Sequence, residues 1–466
     1  MKSVLGWLKK NLLIVVSVVV IIAFLPAGFV FSSGWNKSIK KTASDEFGKQ
    51  RSSLQRAGSV TYALPAVFAG EDQLSESRVP NRAVTDFYAE QKRQRIEQVG
   101  QVVERGTEFN QRDHGVLVEG LLPEARNERA RRQLGLEMAE LIAGTVEPDG
   151  TVVRPSVYRA LLRRFNAGGP TLPSELGATL GEFKEREEQR YTSQSTDGNL
   201  TEEQNRALQQ DLVARRLGEY AGRANALAFY ATLESLRDPG QSDWTGVPEP
   251  RQTNVTDYEP VTESIAYAWQ WDYWIISDLL EAFSLANTDP ATGAATVSTG
   301  VIKRVERINI ESFEASEVAA PSEDDQFGGG GRNSNRFGAS DDPAAVAPKF
   351  ETFTGRIGGK ADSPFDVRMV EVTAVVSTKK LPRLIDGLGR VNNMTVVGLS
   401  LDPINVWADL EQGYFYGSDH VMRATMLIET VWLRAWTEEL MPGPVRAKVG
   451  LPPRSSGEED EGFDGP

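Results

Sequence analysis

The pattern of apolar and polar positions is clearest near the N-terminal end. Leu12 to Phe31 is an apolar run without a charged residue. About 20 apolar residues cross a hydrocarbon core about 30 Å thick, and backbone polar groups inside lipid must bond to one another. The run therefore predicts a transmembrane helix over 12–31. A cleaved signal peptide, cut at Ala27, is the alternative. The anchoring side chains predicted from the run are Leu12, Leu13, Ile14, Val20, Ile21, Ile22, Phe24 and Phe31.

The residues around this run predict its orientation. Lysines flank it equally on both sides, at Lys2, Lys9, Lys10, Lys37, Lys40 and Lys41. The count of positive charges is therefore a tie. The short tail over 1–11 favours a cytoplasmic N-terminus. The sequence thus predicts a single-pass protein of the cell inner membrane, with the bulk of the chain in the periplasm.

The middle of the chain is predicted to be helical. Residues 32–115 are polar and helix-forming, and Ala83 to Asn110 carries a narrow apolar stripe of the kind found in a stalk or short coiled coil. Residues 116–250 contain amphipathic segments separated by Pro and Gly clusters. We therefore expect a membrane-proximal helical stalk followed by a helical section.

The last predicted domain, 262–440, alternates helices with strands. A helix opened by Thr262 and Glu263 precedes a strand whose alternation breaks phase near Glu306, as in a bulge. A second helix follows the next strand, capped by Ser377 or Thr378. The predicted strands are Val301–Phe313, Phe365–Val376, Met394–Leu401 and Val421–Arg434. Two successive αββ halves predict an α+β fold with a ferredoxin-like four-stranded antiparallel sheet. The insert 315–363 and the acidic tail 441–466 are expected to be disordered.

The anchor, the stalk and the doubled αββ unit carry a family resemblance. Together with the phrase FDVRMVEVTAVVSTKKLPRLIDGLGRV, a strand followed by a helix, they resemble the PilO and GspM kind of bitopic inner-membrane assembly protein. That family serves type IV pilus and type II secretion machines. The resemblance implies a scaffold with a dimerising domain, as a homodimer or as a heterodimer with a related assembly protein.

Composition narrows the possible functions. The formal net charge is -14, and no surplus of Lys and Arg appears outside the N-terminal tail. Binding to nucleic acid requires such a surplus on at least one face, so no nucleic-acid partner is expected. The chain contains no cysteine, which excludes disulfides, thiolate nucleophiles and cysteine-built zinc sites.

Candidate chemistry is sparse. The two histidines, His114 and His420, have no partner at metal-ligand spacing, so we interpret both as surface residues. The glycine-rich segments Gly328–Gly331 and Gly355–Lys360 lack the strand and helix of a phosphate cradle. No catalytic, cofactor-binding or metal-binding residue is predicted. The protein is expected not to be an enzyme, with no cofactor and no small-molecule substrate.

One helix carries two apolar sides. On a helical wheel, Tyr267, Trp271 and Trp274 lie nearly opposite an aliphatic stripe. Asp272 falls within the aliphatic side. Aromatic side chains are typical interface anchors, so these three residues are the candidate protein interface. Burial within the same chain is the alternative.

These observations leave two classes of function open. The first is a membrane-anchored scaffold that associates through its ferredoxin-like domain. The second is a cell-envelope binding or adhesion protein whose helical section recognises a polymer or a small ligand.

Overall fold

The computed structural model forms two compact units, Met1–Gly106 and Thr107–Pro466. The described residues are 11–58, 60–64, 75–79, 81–193, 199–237, 239–240, 244–255, 261–312, 354, 356 and 363–454. Most of the insert predicted at 315–363 and the end of the acidic tail, 455–466, lie outside the described residues, as does most of the tail 1–11.

The first unit contains two long helices and a hairpin. Its elements are α1 (Leu12–Ala57), β1 (Val60–Ala63), β2 (Ser75–Arg78) and the larger part of α2 (Arg82–Gln111). An isolated two-stranded hairpin is marginally stable in water. This one packs on α2, where Tyr62 stacks on Tyr88 with 4.8 Å between ring centroids. Tyr88 also donates to Glu76 Oε2 at 3.0 Å. The hairpin is therefore held by a helix of the same unit.

The predicted transmembrane helix is not supported. The apolar run over 12–31 does not form a separate helix. It is the first part of α1, which is 46 residues long and extends past the run through Lys37, Lys40 and Lys41. Within the described part of the chain, no helix combines the length and the apolarity needed to cross a membrane. This finding contradicts the single-pass anchor, the inner-membrane localisation and the periplasmic placement that depended on it. The eight residues predicted as anchors lie on α1 with exposed side chains.

The second unit contains shorter helices and the main sheet. Its helices are α3 (Glu128–Ala143), α4 (Val157–Arg164), α5 (Pro173–Ser193), α6 (Glu202–Ala226), α7 (Glu263–Asn287), α8 (Leu381–Val391), α9 (Val406–Glu411), α10 (Arg434–Thr437) and α11 (Gly443–Lys448). Its strands are β3 (Thr145–Val146), β4 (Val152–Arg154), β5 (Ala167–Gly168), β6 (Phe229–Tyr230), β7 (Trp244–Thr245), β8 (Arg251–Gln252), β9 (Ile302–Glu311), β10 (Phe365–Ser377), β11 (Met394–Pro403) and β12 (Val421–Leu433).

The main sheet has the order β11–β12–β10–β9–β6–β5, and β7 also pairs with β9. Strands β9 to β12 pair antiparallel, whereas β6 joins β9 in parallel and β5 joins β6 in parallel. The sheet of the described residues thus has seven strands and mixed direction. The predicted fold class, a four-stranded ferredoxin-like sheet behind a transmembrane helix, is therefore wrong. The predicted sheet was too small because it left one edge of β9 without a partner. The backbone groups on that edge pair with short strands of the section 116–250.

Strand register follows the hydrophobic alternation. β10 pairs with β12 without interruption from Phe365↔Leu433 to Ser377↔Val421. Pairing of β9 with β10 shifts between Arg307 and Val305. The bulge predicted near Glu306 is therefore confirmed.

One large core joins the sheet to its helices. α7 begins at the predicted cap, where the Thr262 hydroxyl accepts from Ile265 N at 3.3 Å. Buried residues of α3, α4, α7 and α8 belong to the same apolar cluster as those of β9, β10 and β12. Met441 and Val445 are fully buried in this cluster. The expectation of a disordered tail from residue 441 is therefore wrong for these residues, which α11 holds against the core.

Candidate functional site

The predicted protein interface lies inside the molecule. Tyr267, Trp271 and Trp274 are 0%, 1% and 1% exposed. The ring centroid of Trp274 lies 5.0 Å from that of Trp436, and Trp274 Nε1 donates to Gly115 O at 3.0 Å. The structure therefore agrees with the alternative, burial within the same chain. These side chains are not available at the surface.

The acidic residue of α7 that interrupts its aliphatic side is paired. Asp272 Oδ1 accepts from Arg368 at 2.9 Å, and Asp272 Oδ2 accepts from the Thr245 hydroxyl at 3.0 Å. The Arg368 guanidinium also lies over the ring of Trp271, 4.9 Å from its centroid. A buried carboxylate requires such compensation. The pair therefore explains how α7 carries an acid among apolar residues.

A buried polar cluster lies where α2 ends. Asn110 is fully buried and uses both donors and its acceptor: its Nδ2 donates to Asn392 Oδ1 and Val431 O, both at 2.8 Å. Its Oδ1 accepts from Leu433 N at 2.7 Å and Trp436 Nε1 at 2.9 Å. The amide thereby connects the last residues of α2, which belong to the second unit, to β12 and α10.

His114 belongs to the same cluster. Its side chain is 7% exposed, and its Nε2 lies 3.1 Å from Asp278 Oδ2. Asp278 Oδ2 also accepts from Asn392 Nδ2 at 2.6 Å. The imidazole is surrounded by Trp274, Trp432 and Trp436, with centroid distances of 5.8, 5.5 and 5.9 Å. The interpretation of His114 as a surface residue is therefore wrong, whereas that of His420 is confirmed by its exposure.

A polar cavity of about 240 Å³ opens beside His114. It lies between the segment that follows α2 and the middle of α7, and Asp278 and Glu281 contribute to its walls. Glu281 Oε1 accepts from Arg112 at 2.5 Å, and the same guanidinium donates to Val391 O at 2.7 Å. Asp278 and Glu281 are thus already compensated, and the third carboxylate of the wall, Asp113, is exposed to solvent.

A larger open cavity of about 780 Å³ lies at the ends of β5 and β6. Gly169 and Thr232, which follow these parallel strands, line it together with Arg223 and Tyr414. Ligands of open parallel sheets commonly bind beyond the carboxyl ends of the strands. Arg223 Nε donates to Gly169 O at 3.0 Å. The cavity includes residues of the section 116–250, for which ligand recognition stays a prediction.

A charged cluster lies near His420. The ammonium of Lys303, fully buried, donates to Asp419 Oδ2 at 3.0 Å, and Lys380 donates to the same oxygen at 2.7 Å. Burial lowers the pKa of Lys303. Burial opposes the downward shift in the pKa of Asp419, but hydrogen bonds from Lys380 and Lys303 outweigh it. The cluster joins the start of β9 to the loop before β12, and one carboxylate, Asp419, is shared by two ammonium groups.

The edge strand β11 is the longest exposed strand edge of the unit. It pairs with β12 on one side, and its other side has no backbone partner among the residues that the structure describes. From Leu399 to Pro403 every residue is exposed. Leu399 and Leu401 are 45% and 37% exposed, and Trp407, on α9 directly after the strand, is 77% exposed.

Metal chemistry finds no support in the described ranges. These residues contain no group of three or more His, Cys, Asp or Glu side chains that could hold a metal ion. Comparisons with protein-family models, with curated proteins and with solved structures gave no match.

Proposed function

We propose that this protein is an assembly scaffold that acts by protein–protein association, with the edge of β11 as its contact surface. The observation that carries the proposal is the exposed edge of β11 with apolar side chains beside it. A free strand edge offers unpaired N–H and C=O groups to another strand. Large exposed apolar groups beside such an edge are typical of interaction sites.

The two edges of the main sheet differ in a way that supports this proposal. At one end the last strand, β5, has only two residues. Very short edge strands are a common protection against pairing. At the other end β11 has 10 residues. Of these two ends, as the described residues form them, only the β11 edge is therefore long enough to form an extended ladder with another chain.

The partner that this surface fits is a second copy of the chain. Two copies of β11 can pair antiparallel about a twofold axis, because the same edge then faces itself. Leu399 and Leu401 of one copy would lie beside those of the other. Trp407 would extend the contact beyond the strand, and tryptophan is enriched among residues that dominate binding energy. Membership of the pilus and secretion assembly family is part of the proposal, and it would imply such a dimer; the anchor and the four-stranded sheet that first suggested this family do not support it.

The test is the oligomeric state of the full chain in solution. Sedimentation equilibrium from nanomolar to about 100 µM should reveal a monomer–dimer equilibrium. Trp407→Ala should weaken dimerisation by about 30-fold for each of the two copies of the residue, since an interface anchor contributes about 2 kcal/mol or more. Leu401→Lys should weaken it as well, because it places a charge at the edge.

The matched control is Val153→Lys. Val153 lies on β4 and is 55% exposed, so the same kind of charge is introduced at an exposed apolar strand residue away from β11. This variant should dimerise like the parent chain. A chain that is monomeric over the whole concentration range, or a dimer that Trp407→Ala and Leu401→Lys leave unchanged, would contradict the proposal.

A further inference from the structure

The hydrogen bonds of Asp278 determine which nitrogen of His114 carries a hydrogen. An ionised carboxylate only accepts hydrogen bonds. Asp278 Oδ2 therefore accepts from His114 Nε2 at 3.1 Å, as it does from Asn392 Nδ2 at 2.6 Å. In the neutral imidazole, Nδ1 then carries a lone pair. Nδ1 makes no hydrogen bond with any residue that the structure describes, although the side chain is only 7% exposed. An acceptor without a partner in the chain, on a side chain that is mostly buried, takes its donor from outside the chain, from water or from a ligand.

The cavity beside His114 can supply space for that donor. Its volume of about 240 Å³ is below the ~300–1,000 Å³ of sites for drug-sized ligands, so a smaller molecule fits. Tyr273 and Ser277 line it from α7, and neither hydroxyl bonds to another part of the described chain. Each hydroxyl can both donate and accept. The indole of Trp274 adds a flat apolar wall.

The charges of the cavity wall favour a neutral occupant. Asp278 is compensated by His114 and Asn392, and Glu281 by Arg112. The other two charged residues of the wall, Asp113 and Arg164, have opposite signs and are exposed to solvent. A cation would therefore find no unpaired buried carboxylate, and an anion would find no unpaired buried guanidinium, because Glu281 holds Arg112. Buried charges without partners are strongly unfavourable. The groups left over are a lone pair and hydroxyls, which match the hydroxyls of a ligand.

We infer that the His114 cavity binds a small neutral polyhydroxylated molecule, with one ligand hydroxyl donating to His114 Nδ1 and others exchanging hydrogen bonds with Tyr273 and Ser277. This site is separate from the β11 edge and does not rest on the proposed association. It also departs from the expectation that the chain has no small-molecule ligand.

Nitrogen NMR of the full chain tests the inference directly, because the sequence contains two histidines. Long-range ¹H–¹⁵N spectra of ¹⁵N-histidine-labelled protein should contain one imidazole protonated at Nε2 only. Glycerol, myo-inositol, glucose and N-acetylglucosamine are the probes. At least one should shift the Nδ1 resonance of His114 saturably at millimolar concentration. Sodium acetate and methylammonium chloride, as charged controls, should not.

Variants that keep the fold make the test specific. Tyr273→Phe and Ser277→Ala each remove one hydroxyl and should weaken binding of the active probe by between about twofold and tenfold, the range of one hydrogen bond. Ser284→Ala is the matched control, because Ser284 is on α7 but does not line the cavity.

Four results would overturn the inference. The first is His114 protonated at Nδ1, either instead of Nε2 or together with it. The second is the absence of a saturable shift with every neutral probe, and the third is saturation by acetate or methylammonium alone. Equal binding by Ser277→Ala, Tyr273→Phe and the parent chain would place the probe elsewhere and overturn it as well.

Discussion

Asn110 illustrates how one buried polar side chain stabilises this molecule. Its four hydrogen bonds reach Asn392, Val431, Leu433 and Trp436, and all of these partners come from other elements. A hydrogen bond adds only about 1 kcal/mol net, whereas a buried group left without a partner costs about 1–3 kcal/mol. The Asn110 amide therefore stabilises the fold mainly because it gives partners to buried groups that would otherwise lack them. The net energy of its own hydrogen bonds contributes less.

The first prediction follows from this asymmetry. Asn110→Ala leaves Leu433 N and Trp436 Nε1 without an acceptor in the core. We expect the free energy of unfolding to fall by about 2–5 kcal/mol, measured by urea denaturation. Asn205→Ala, at an exposed position of α6, is the control and should change it by no more than about 0.5 kcal/mol. Similar losses for the two variants would contradict the assigned role of Asn110.

Residues of this kind were not predictable from the sequence. His114 lies 164 positions from Asp278, and Asn110 lies 321 positions from Val431. Nothing in the local pattern around a single histidine or asparagine indicates a partner at such a distance. The aromatic residues of α7 were identified as notable, but periodicity could not distinguish a partner protein from Trp432 and Trp436 of the same chain.

At the scale of elements, α7 and α8 approach each other closely at Gly387. A Cβ added there would lie 3.0 Å from Ala282 O and 3.2 Å from Ala286 Cβ. The second prediction is that Gly387→Val lowers the free energy of unfolding by about 1–3 kcal/mol through overpacking. Gly389 lies on the same helix with nothing within 4 Å of an added Cβ, so Gly389→Val is the control. Thermal denaturation of both variants checks the prediction, and equal stabilities would contradict close packing at Gly387.

Long elements were predictable and short ones were not. The alternation in Phe365–Val376 and Val421–Arg434 predicted β10 and β12, and the phase break at Glu306 predicted the bulge in β9. β5, β6 and β7 have two residues each, too few to display a period. These short strands form because pairing with segments distant in sequence stabilises them. For this reason the section 116–250 was predicted as helical only, although parts of it extend the main sheet.

At the scale of the second unit, the sheet joins segments that the sequence separated into domains. Tyr230 of β6 pairs with Arg304 of β9, and the Ser235 hydroxyl donates to Val305 O at 2.9 Å. Such contacts predict cooperative unfolding. The third prediction is that, in hydrogen exchange measured by mass spectrometry, Ser235→Ala speeds exchange in β6 and β10 by the same factor.

Ser174→Ala provides the control for this exchange experiment, because Ser174 is exposed at the start of α5. It should leave exchange in both strands unchanged. Faster exchange confined to β6 in Ser235→Ala would mean that the section 116–250 opens on its own. The separate domains inferred from composition would then describe the molecule better than one sheet does.

The attachment of Asn110 also has a consequence for biosynthesis. The amide is made long before the strand and helix that satisfy it, β12 and α10, because Trp436 follows Asn110 by 326 positions. At about 5–20 residues per second, the ribosome must add several hundred residues before that core can close. The second unit therefore completes this part of its core only after residue 436 has been synthesised, and a nascent chain halted before that point would leave the Asn110 amide without Leu433 and Trp436.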